Sequence, residues 1–350
     1  VRSLRVLVTV VVLLLAGCGA GPRPGDASTA PAGSLPAPAR LTPTAPVTLA
    51  ARPAPVRFSV LGDVGATADT TRVLRGIDDR ADDFTLVVGD LSYGAPGAET
   101  DWCRQVSAAL GARYPVEIVS GNHEDHGPNG DVDAFARCLP NRLPGLVGQY
   151  GREWYVDVPA AKPVVRIVMV SPALDFGSGT WSYAAGTSHY RWTEKALTSA
   201  RAAGIPWVVV GMHEPCLSVG VYACEPGPDL TNLMLREKVD LVVTGHEHMY
   251  QRTRPLALGA QCPRVVPGRY DAGCVTSGRG TTTVTVGTGG HPLRDVTAGD
   301  PERPYFAAVS ARDLHPAFGS LAVSVTAHDL RARFEPVGGA TFTDQVHLTR

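Results

Sequence analysis

The stretch "LVVGDLSYGAPG", Leu86 to Gly97, decides how the chain folds. A short, unbroken apolar run closed by Gly89 and Asp90 is the pattern of a strand buried on both faces that stops at a turn. The pattern recurs in "VRFSVLGD" (Val56–Asp63), "PVEIVSGN" (Pro115–Asn122), "PWVVVGMH" (Pro206–His213) and "VDLVVTGH" (Val239–His246), with "VVRIVMVSP" (Val164–Pro172) as a further apolar strand. Between these runs lie stretches with helical spacing. "DTTRVLRGIDDRADD" puts Val73, Leu74 and Ile77 on one face; "AETDWCRQVSAALGAR" and the segments around Tyr190–Ala203 and Leu230–Lys238 follow the same rule. Strands alternating with helices predict a largely parallel α/β sheet. Beyond Gln251 helical spacing fades, and "TTTVTVGTG", "GSLAVSVTAHDLRARFEPV" and "TDQVHL" read as antiparallel strands. The expected fold class is α/β, with two packed mixed β-sheets flanked by helices. With no internal repeat and no second linker, residues 56–350 read as one domain.

Composition narrows the function. The chain has 350 residues, 44% of them hydrophobic, and a formal charge of -1, so no nucleic acid partner is expected. Arg2 and Arg5 precede the apolar run "VLVTVVVLLLAG", which is too short for a comfortable membrane span and has the layout of an export signal. "LAGC", Leu15 to Cys18, resembles the bacterial lipobox, in which the cysteine is lipidated and becomes the new N-terminus; an uncleaved signal anchor or a plain secretory peptide is the alternative. Residues 1–18 are thus expected to be a lipoprotein signal. Residues 19–55, rich in Pro, Ala, Gly, Ser and Thr, are expected to be a disordered tether. The expected location is the outer face of the cell membrane, held by lipid at Cys18, with shedding to the extracellular space as a further outcome. Six cysteines remain, an even number in an oxidising compartment, which points to disulfides. Fifteen connectivities are open; the local pairs Cys216 with Cys224 and Cys262 with Cys274 are favoured, leaving Cys103 with Cys138. A zinc cluster of cysteines competes poorly, because no CxxC spacing occurs.

The strand ends carry the chemistry. In open α/β sheets the carboxyl ends of parallel strands face one crevice. Five strands would bring Asp63, Asp90, Tyr93, Asn122, His123, His213, His246 and His248 to that place. Each residue alone has an ordinary structural account, but oxygen and imidazole donors in this number suit two metal ions with one bridging carboxylate. Sulfur is missing from the set, unlike a structural zinc site.

"GDVG" (62–65), "GDLSY" (89–93), "GNHE" (121–124), "VGMH" (210–213) and "GHEHMY" (245–250), in this order, resemble the five motifs of the calcineurin-like metallophosphoesterases, and in particular the purple acid phosphatases. The likeness runs from Val56 to Arg252 and continues weakly through "VGTGGH" at His291. It implies an αββα sandwich and hydrolysis of phosphate esters. It also implies that Asp63, Asp90, Tyr93 and His248 hold a first metal and that Asp90 bridges to a second held by Asn122, His213 and His246. His123 stays unligated as the proton donor. The wider superfamily has a histidine two residues after the first aspartate, where this chain has Gly65; Tyr93 takes its place. A phenolate, formed ordinarily only near pH 10, suits a trivalent ion. The implied cofactors are Fe(III) at the first site and Fe(II), Zn or Mn at the second. The plant enzymes carry histidines in the loop after the fourth motif, where this chain has Glu214 and no histidine, and the family's common glutamate is Gln251 here. Glu124 is expected to orient His123 or to be solvated. His126, His189 and His291 are possible supporting or substrate groups. The leading expectation is an acid phosphatase-like monoesterase; the alternatives are a Mn or Zn phosphodiesterase for nucleotides or phospholipid head groups, and a non-catalytic surface metal- or phosphate-binding protein.

Overall fold

Short apolar strands paired in parallel set the architecture. The computed structural model describes residues 54–350; the signal expected at 1–18, Cys18 and nearly all of the tether lie outside the described residues. In chain order the elements are β1 (Val56–Leu61), α1 (Ala68–Asp78), β2 (Phe84–Val88), α2 (Glu99–Leu110), β3 (Val116–Val119), α3 (Val132–Cys138), β4 (Val147–Gln149), β5 (Glu153–Val158), β6 (Val165–Met169), α4 (Ser188–Ala202), β7 (Trp207–Gly211), α5 (Pro228–Arg236), β8 (Leu241–Thr244) and β9 (Tyr250–Thr253). There follow β10 (Thr282–Val286), β11 (Phe306–Ser310), β12 (Gly319–Val325), β13 (Asp329–Pro336) and β14 (Gln345–Thr349). One sheet has the order β14-β13-β12-β1-β2-β3 and the other β11-β9-β10-β8-β7-β6-β5-β4.

The alternation of side chains along each strand explains the layers. Phe58, Val60, Leu86 and Val88 of the first sheet pack against Ile167, Met169, Val209, Val243, Val284 and Val286 of the second. The intervening residues face outward onto helices: Val87 and Ile118 pack with Val73, Leu74 and Ile77 of α1 and Trp102 and Val106 of α2. Val208, Val210 and Val242 pack with Leu197 of α4 and with Leu230 and Leu233 of α5. Both faces of the central strands are therefore buried, which is why they are continuously apolar. The result is the two-sheet α/β sandwich that the strand pattern predicts.

The helices start where capping chemistry permits. The Thr67 side chain accepts from the Thr70 amide at 3.1 Å and opens α1, and Thr187 does the same for Tyr190 at the start of α4. One pairing differs from the antiparallel reading of the C-terminal strands. β10 is antiparallel to β9 but parallel to β8, because it inserts between these two consecutive strands. Its carboxyl end therefore points the same way as that of β8 and carries residues 287–291 to the same rim. The elements α3, β4, β5 and β11 have no clear periodic signal in the sequence.

The three disulfides are Cys103–Cys138, Cys216–Cys224 and Cys262–Cys274, the favoured local set. The first ties α2 to α3 across 35 positions with a Cα–Cα distance of 5.9 Å. Replacing both Cys103 and Cys138 by serine is expected to lower stability by about 3–4 kcal/mol, from the loop-closure entropy restored to the unfolded chain. Urea unfolding of the two proteins measures this; a loss below about 1 kcal/mol would show that the bridge restrains little.

Candidate metal centre

Every residue placed at a strand end by the sequence arrives at one rim. Asp63 follows β1, Asp90 and Tyr93 follow β2, Asn122 and His123 follow β3, His213 follows β7, and His246 and His248 follow β8. The turns that deliver them are held in unusual backbone. Asp63, Asp90, Tyr93 and His246 have φ of 56°, 53°, 53° and 68°, the left-handed region that non-glycine residues seldom adopt. Such conformations persist where surrounding contacts over-determine them, and their gathering here marks the rim as a functional site. Glycine is required for a second reason. A Cβ on Gly121 would overlap the main-chain nitrogen and carboxylate of Asp90, and one on Gly89 would lie 2.8 Å from Gly121 Cα. The "GD" and "GN" glycines let the loops after β2 and β3 touch.

Asp90 is the centre of the arrangement. The donor atoms of Asp63, Asp90 and His248 lie within 4.8 Å of one another, as do those of Asp90, His213 and His246, so Asp90 belongs to both groups. In the first group the Tyr93 hydroxyl donates to Asp90 Oδ2 at 2.7 Å and to Asp63 Oδ1 at 3.0 Å, and lies 3.1 Å from His248 Nε2. In the second, His213 Nε2 lies 3.2 Å from Asp90 Oδ1, 3.1 Å from Asn122 Oδ1 and 3.1 Å from His246 Nδ1. The Asp63 Oδ2 atom accepts from the His246 amide at 2.8 Å, joining the first motif to the last. All seven predicted metal-ligating residues thus converge.

The charges do not balance within the protein. Asp63 and Asp90 are 0% and 1% exposed, and among the described residues only histidines form ion pairs with them. Burial, opposed by His213 and reinforced by the charge of Asp90, pushes the Asp63 carboxyl up to about 7. Burial would also raise Asp90, but the charge and hydrogen bond of His213 outweigh it and hold Asp90 below the usual carboxylate range. His213 rises to about 10: burial acts against its charged form, and the charge of Asp90 prevails. Burial, then the charges of Asp63 and Asp90, drives the Tyr93 phenol far above its ordinary value. Buried carboxylates lacking arginine or lysine, with imidazole, amide and phenol oxygen around them and no thiol, fit two metal ions.

His123 stands at the edge of this group, its Nε2 3.7 Å from Asp90 Oδ2. Its Nδ1 contacts the Asn129 side-chain oxygen, and the Asn129 amide nitrogen donates to the Tyr93 carbonyl at 3.1 Å and the Gly94 carbonyl at 2.9 Å. Asn129 therefore fixes the His123 ring; nothing in the sequence around it distinguishes it from a turn residue. Glu124 neither orients His123 nor is solvated. It is buried and accepts from the Gly121 and Leu91 amides at 2.7 and 3.2 Å, clamping the two loops together, and burial, then the charge of Asp90, pushes its carboxyl up to about 8. His291 stacks on Tyr93 with centroids 3.7 Å apart, and its Nδ1 lies 3.2 Å from His248 Nδ1. His189 is elsewhere, against Trp181 and Glu153, and the structure gives His126 no contact with the group. Gln251 is buried and accepts from the Val219 amide at 2.9 Å, so it holds the loop after the fourth motif. That loop brings Tyr222 onto His246, with centroids 3.8 Å apart, and Glu225 Oε2 to 3.2 Å from His246 Nε2.

The family model for calcineurin-like phosphoesterases matches residues 56–250, more than half of the chain. An uncharacterized protein of Mycobacterium tuberculosis is 32% identical over 228 residues, which are 59% of this chain and 42% of that protein. Purple acid phosphatase 21 of Arabidopsis thaliana is 29% identical over 212 residues, 58% of this chain and 46% of its own. The Fe(3+)-Zn(2+) purple acid phosphatase 12 of the same plant is 28% identical over 218 residues, 57% and 44% of the two chains. The chain spans about half the length of the curated relatives it matches. A solved structure of a purple acid phosphatase from yellow lupin (Lupinus luteus) seeds superposes on 85% of this chain and 54% of its own with a TM-score of 0.62 and 20% identity, a likeness of fold. Five motifs converging at one rim of a two-sheet sandwich and a family model that spans all five lead to one conclusion: the chain belongs to the calcineurin-like phosphoesterase family.

Proposed function

We propose that the protein is a dinuclear-metal phosphoesterase that hydrolyses phosphate monoesters outside the cytoplasm, with Fe(III) at the first site and Fe(II), Zn or Mn at the second. The observation that carries this reading is the Tyr93 hydroxyl, bonded to both Asp63 and Asp90 and facing His248 Nε2. Asp63, Asp90, Tyr93 and His248 would hold the first ion, and Asp90, Asn122, His213 and His246 the second. A phenolate oxygen beside two carboxylates is a hard anionic donor, so a trivalent ion gains more there than a divalent one, which favours a trivalent ion at the first site. When bound, two such ions lower the pKa of a water and neutralise phosphate oxygens.

The protein's own residues supply the rest. Carbonyls can only accept, so Val88 O at 2.9 Å and Pro292 O at 3.0 Å place the protons of His213 and His248 on Nδ1 and leave each Nε2 free to face the site. Asn129 likewise takes Nδ1–H and turns His123 Nε2 toward the site, where the doubly protonated ring would carry the proton that the departing oxygen takes up. Such an aligned acid, beside a full ligand set, favours catalysis over a non-catalytic binding role. Export and lipid attachment at Cys18 belong to the same proposal, supported by "LAGC" and compatible with three disulfides, and mass spectrometry of the mature N-terminus tests them. No helix among the described residues is long and apolar enough to cross a membrane.

Three further experiments bear on this reading. A ferric phenolate gives a visible charge-transfer band, so Tyr93→Phe is expected to lose the colour and to bind the first metal more weakly, whereas Asp90→Ala should disturb both metals. A colourless, iron-free and fully active wild type would overturn the iron assignment.

His123→Ala is expected to lose on the order of 10²-fold or more in turnover on alkyl phosphates, whose leaving oxygen is basic. The loss on nitrophenyl phosphate should be clearly smaller, with both metals retained. Equal losses at full metal occupancy would assign His123 to positioning phosphate.

Protons substitute for metal in the stripped protein. Asp63 titrates at about 7, Glu124 and Glu214 at about 8 and His213 at about 10, each above its ordinary value. Between about pH 4.5 and 8 the folded metal-free chain therefore keeps protons that the unfolded chain releases, and its stability falls as pH rises. His248, lowered to about 3 chiefly by burial, and Asp90 act in the opposite sense, but only below about pH 6.5 and 4. Scanning calorimetry from pH 6.5 to 8.5 should show Tm falling more steeply for chelator-treated than for metal-loaded protein. Parallel curves would mean that these groups do not gate the metal site.

A further inference from the structure

The three imidazoles that face the proposed metals are mounted in two ways. His213 and His248 each turn Nδ1 to a backbone carbonyl and present Nε2 to the site. His246 is reversed. Its Nδ1 lies 3.1 Å from His213 Nε2, among the donors of the second group, and its Nε2 lies at the opposite edge of the ring, toward Glu225. That nitrogen is buried, and no partner meets it at an ordinary hydrogen-bond angle; Glu225 Oε2, at 3.2 Å, is the acceptor within reach.

We infer that Glu225 is a positioning residue for the second metal site: its carboxylate takes the Nε2–H of His246 and thereby presents the Nδ1 lone pair to the ion. The inference rests on the reading of His246 as a ligand. A carboxylate behind a ligating imidazole fixes the tautomer and ring plane and makes the ring a stronger donor.

The loop that carries Glu225 is held in a way that serves this contact. The Cys216–Cys224 bridge brings its two ends together, with a Cα–Cα distance of 3.9 Å, so that Glu225, next in sequence to Cys224, arrives beside Glu214, next in sequence to His213. Between the cysteines, Ser218 Oγ and the Tyr222 amide donate to Glu247 Oε1 at 3.1 and 2.8 Å, and the Ser218 amide donates to Glu302 at 2.8 Å. With Gln251 on Val219, these anchors fix Tyr222 flat against the His246 ring and Glu225 at its edge.

The same groups admit a competing geometry. Donor atoms of Glu214, Glu225 and His246 come within 4.8 Å of one another, and Glu214 Oε2 is buried without a partner, as a third cation site would require. A cation there would take the Nε2 lone pair while Nδ1 serves the second metal, which strips the ring of both protons. A neutral ring with its one N–H on Glu225 satisfies both sides without that step.

Zinc binding to the full chain, measured by competition with a chromophoric chelator, separates these outcomes. The wild type is expected to bind two equivalents. Glu225→Ala should weaken one of them by about 10- to 100-fold and leave the other as an internal check on folding. Glu225→Gln, whose amide oxygen still accepts the N–H, should recover much of the loss. Long-range ¹⁵N correlations of histidine-labelled, zinc-loaded protein should place the His246 proton on Nε2 in the wild type, with that signal moved in Glu225→Ala. Two wild-type equivalents left unchanged by Glu225→Ala would overturn the inference while sparing the dinuclear reading. A third equivalent lost in Glu225→Ala would replace the inference with a third cation site. Fewer than two equivalents in the wild type would remove the reading on which it rests.

Discussion

Two carboxylates, Asp63 and Asp90, are buried beside each other with no lysine or arginine among the described residues to neutralise them, and the rest of the site is organised around that imbalance. Isolated buried charge is strongly unfavourable, so the pair must take up protons or cations. The neighbours on each side are groups that can carry a proton: His213 against Asp90, and the Tyr93 hydroxyl spanning Asp90 and Asp63. Each of these partners is itself shifted toward its protonated form. The left-handed turns at Asp63, Asp90 and His246 are the conformational side of the same constraint. They go with the burial of these three polar side chains at the rim.

Such convergence depends on the two-sheet architecture. Parallel strands end at the same rim, and the first sheet delivers oxygen ligands while the second delivers imidazoles. The two sets meet because Phe58, Leu86, Val88, Val209 and Val243 hold the sheets face to face directly beneath them. β10 extends the rim by pairing in parallel with β8. Its following turn brings the Gly287–His291 segment over Asp63, with the His291 amide donating to the Asp63 carbonyl at 3.0 Å and the ring lying on Tyr93.

What is legible in the sequence follows from the same geometry. An apolar run that stops at "GD", "GN" or "GH" states both that a strand is buried on two faces and that a polar group waits at its end, so the strand pattern by itself gathers Asp63, Asp90, Asn122, His213 and His246. The antiparallel reading of β10 is half right, because periodicity reports burial but not which neighbour a strand chooses. Asn129, Tyr222 and Glu225 escape sequence reasoning for a related cause. They lie in non-periodic loops, and their importance comes from contacts 36, 24 and 21 positions away in sequence; for Tyr222 and Glu225 the disulfide and the buried carboxylates of Glu247 and Glu302 set those contacts up. Glu124 misleads because its neighbour His123 suggests a catalytic pair, whereas its carboxylate turns inward to two backbone amides.

The donor sets of the two proposed sites differ in charge, which bears on the ions they would select. Around the first position stand Asp63, the shared Asp90 and the Tyr93 oxygen, with one imidazole. Around the second stand the same Asp90 and three neutral groups, Asn122, His213 and His246. An ion of higher charge gains more at the first position, and a divalent ion of borderline hardness suits the second. Glu225 adds negative charge at the second position, but from behind the His246 ring, where it strengthens a nitrogen donor without adding a hard oxygen ligand. A carboxylate placed within reach of the ion would have narrowed the difference between the two sites. Placed behind the imidazole, as inferred above, it would support the second site and keep the asymmetry that distinguishes the two.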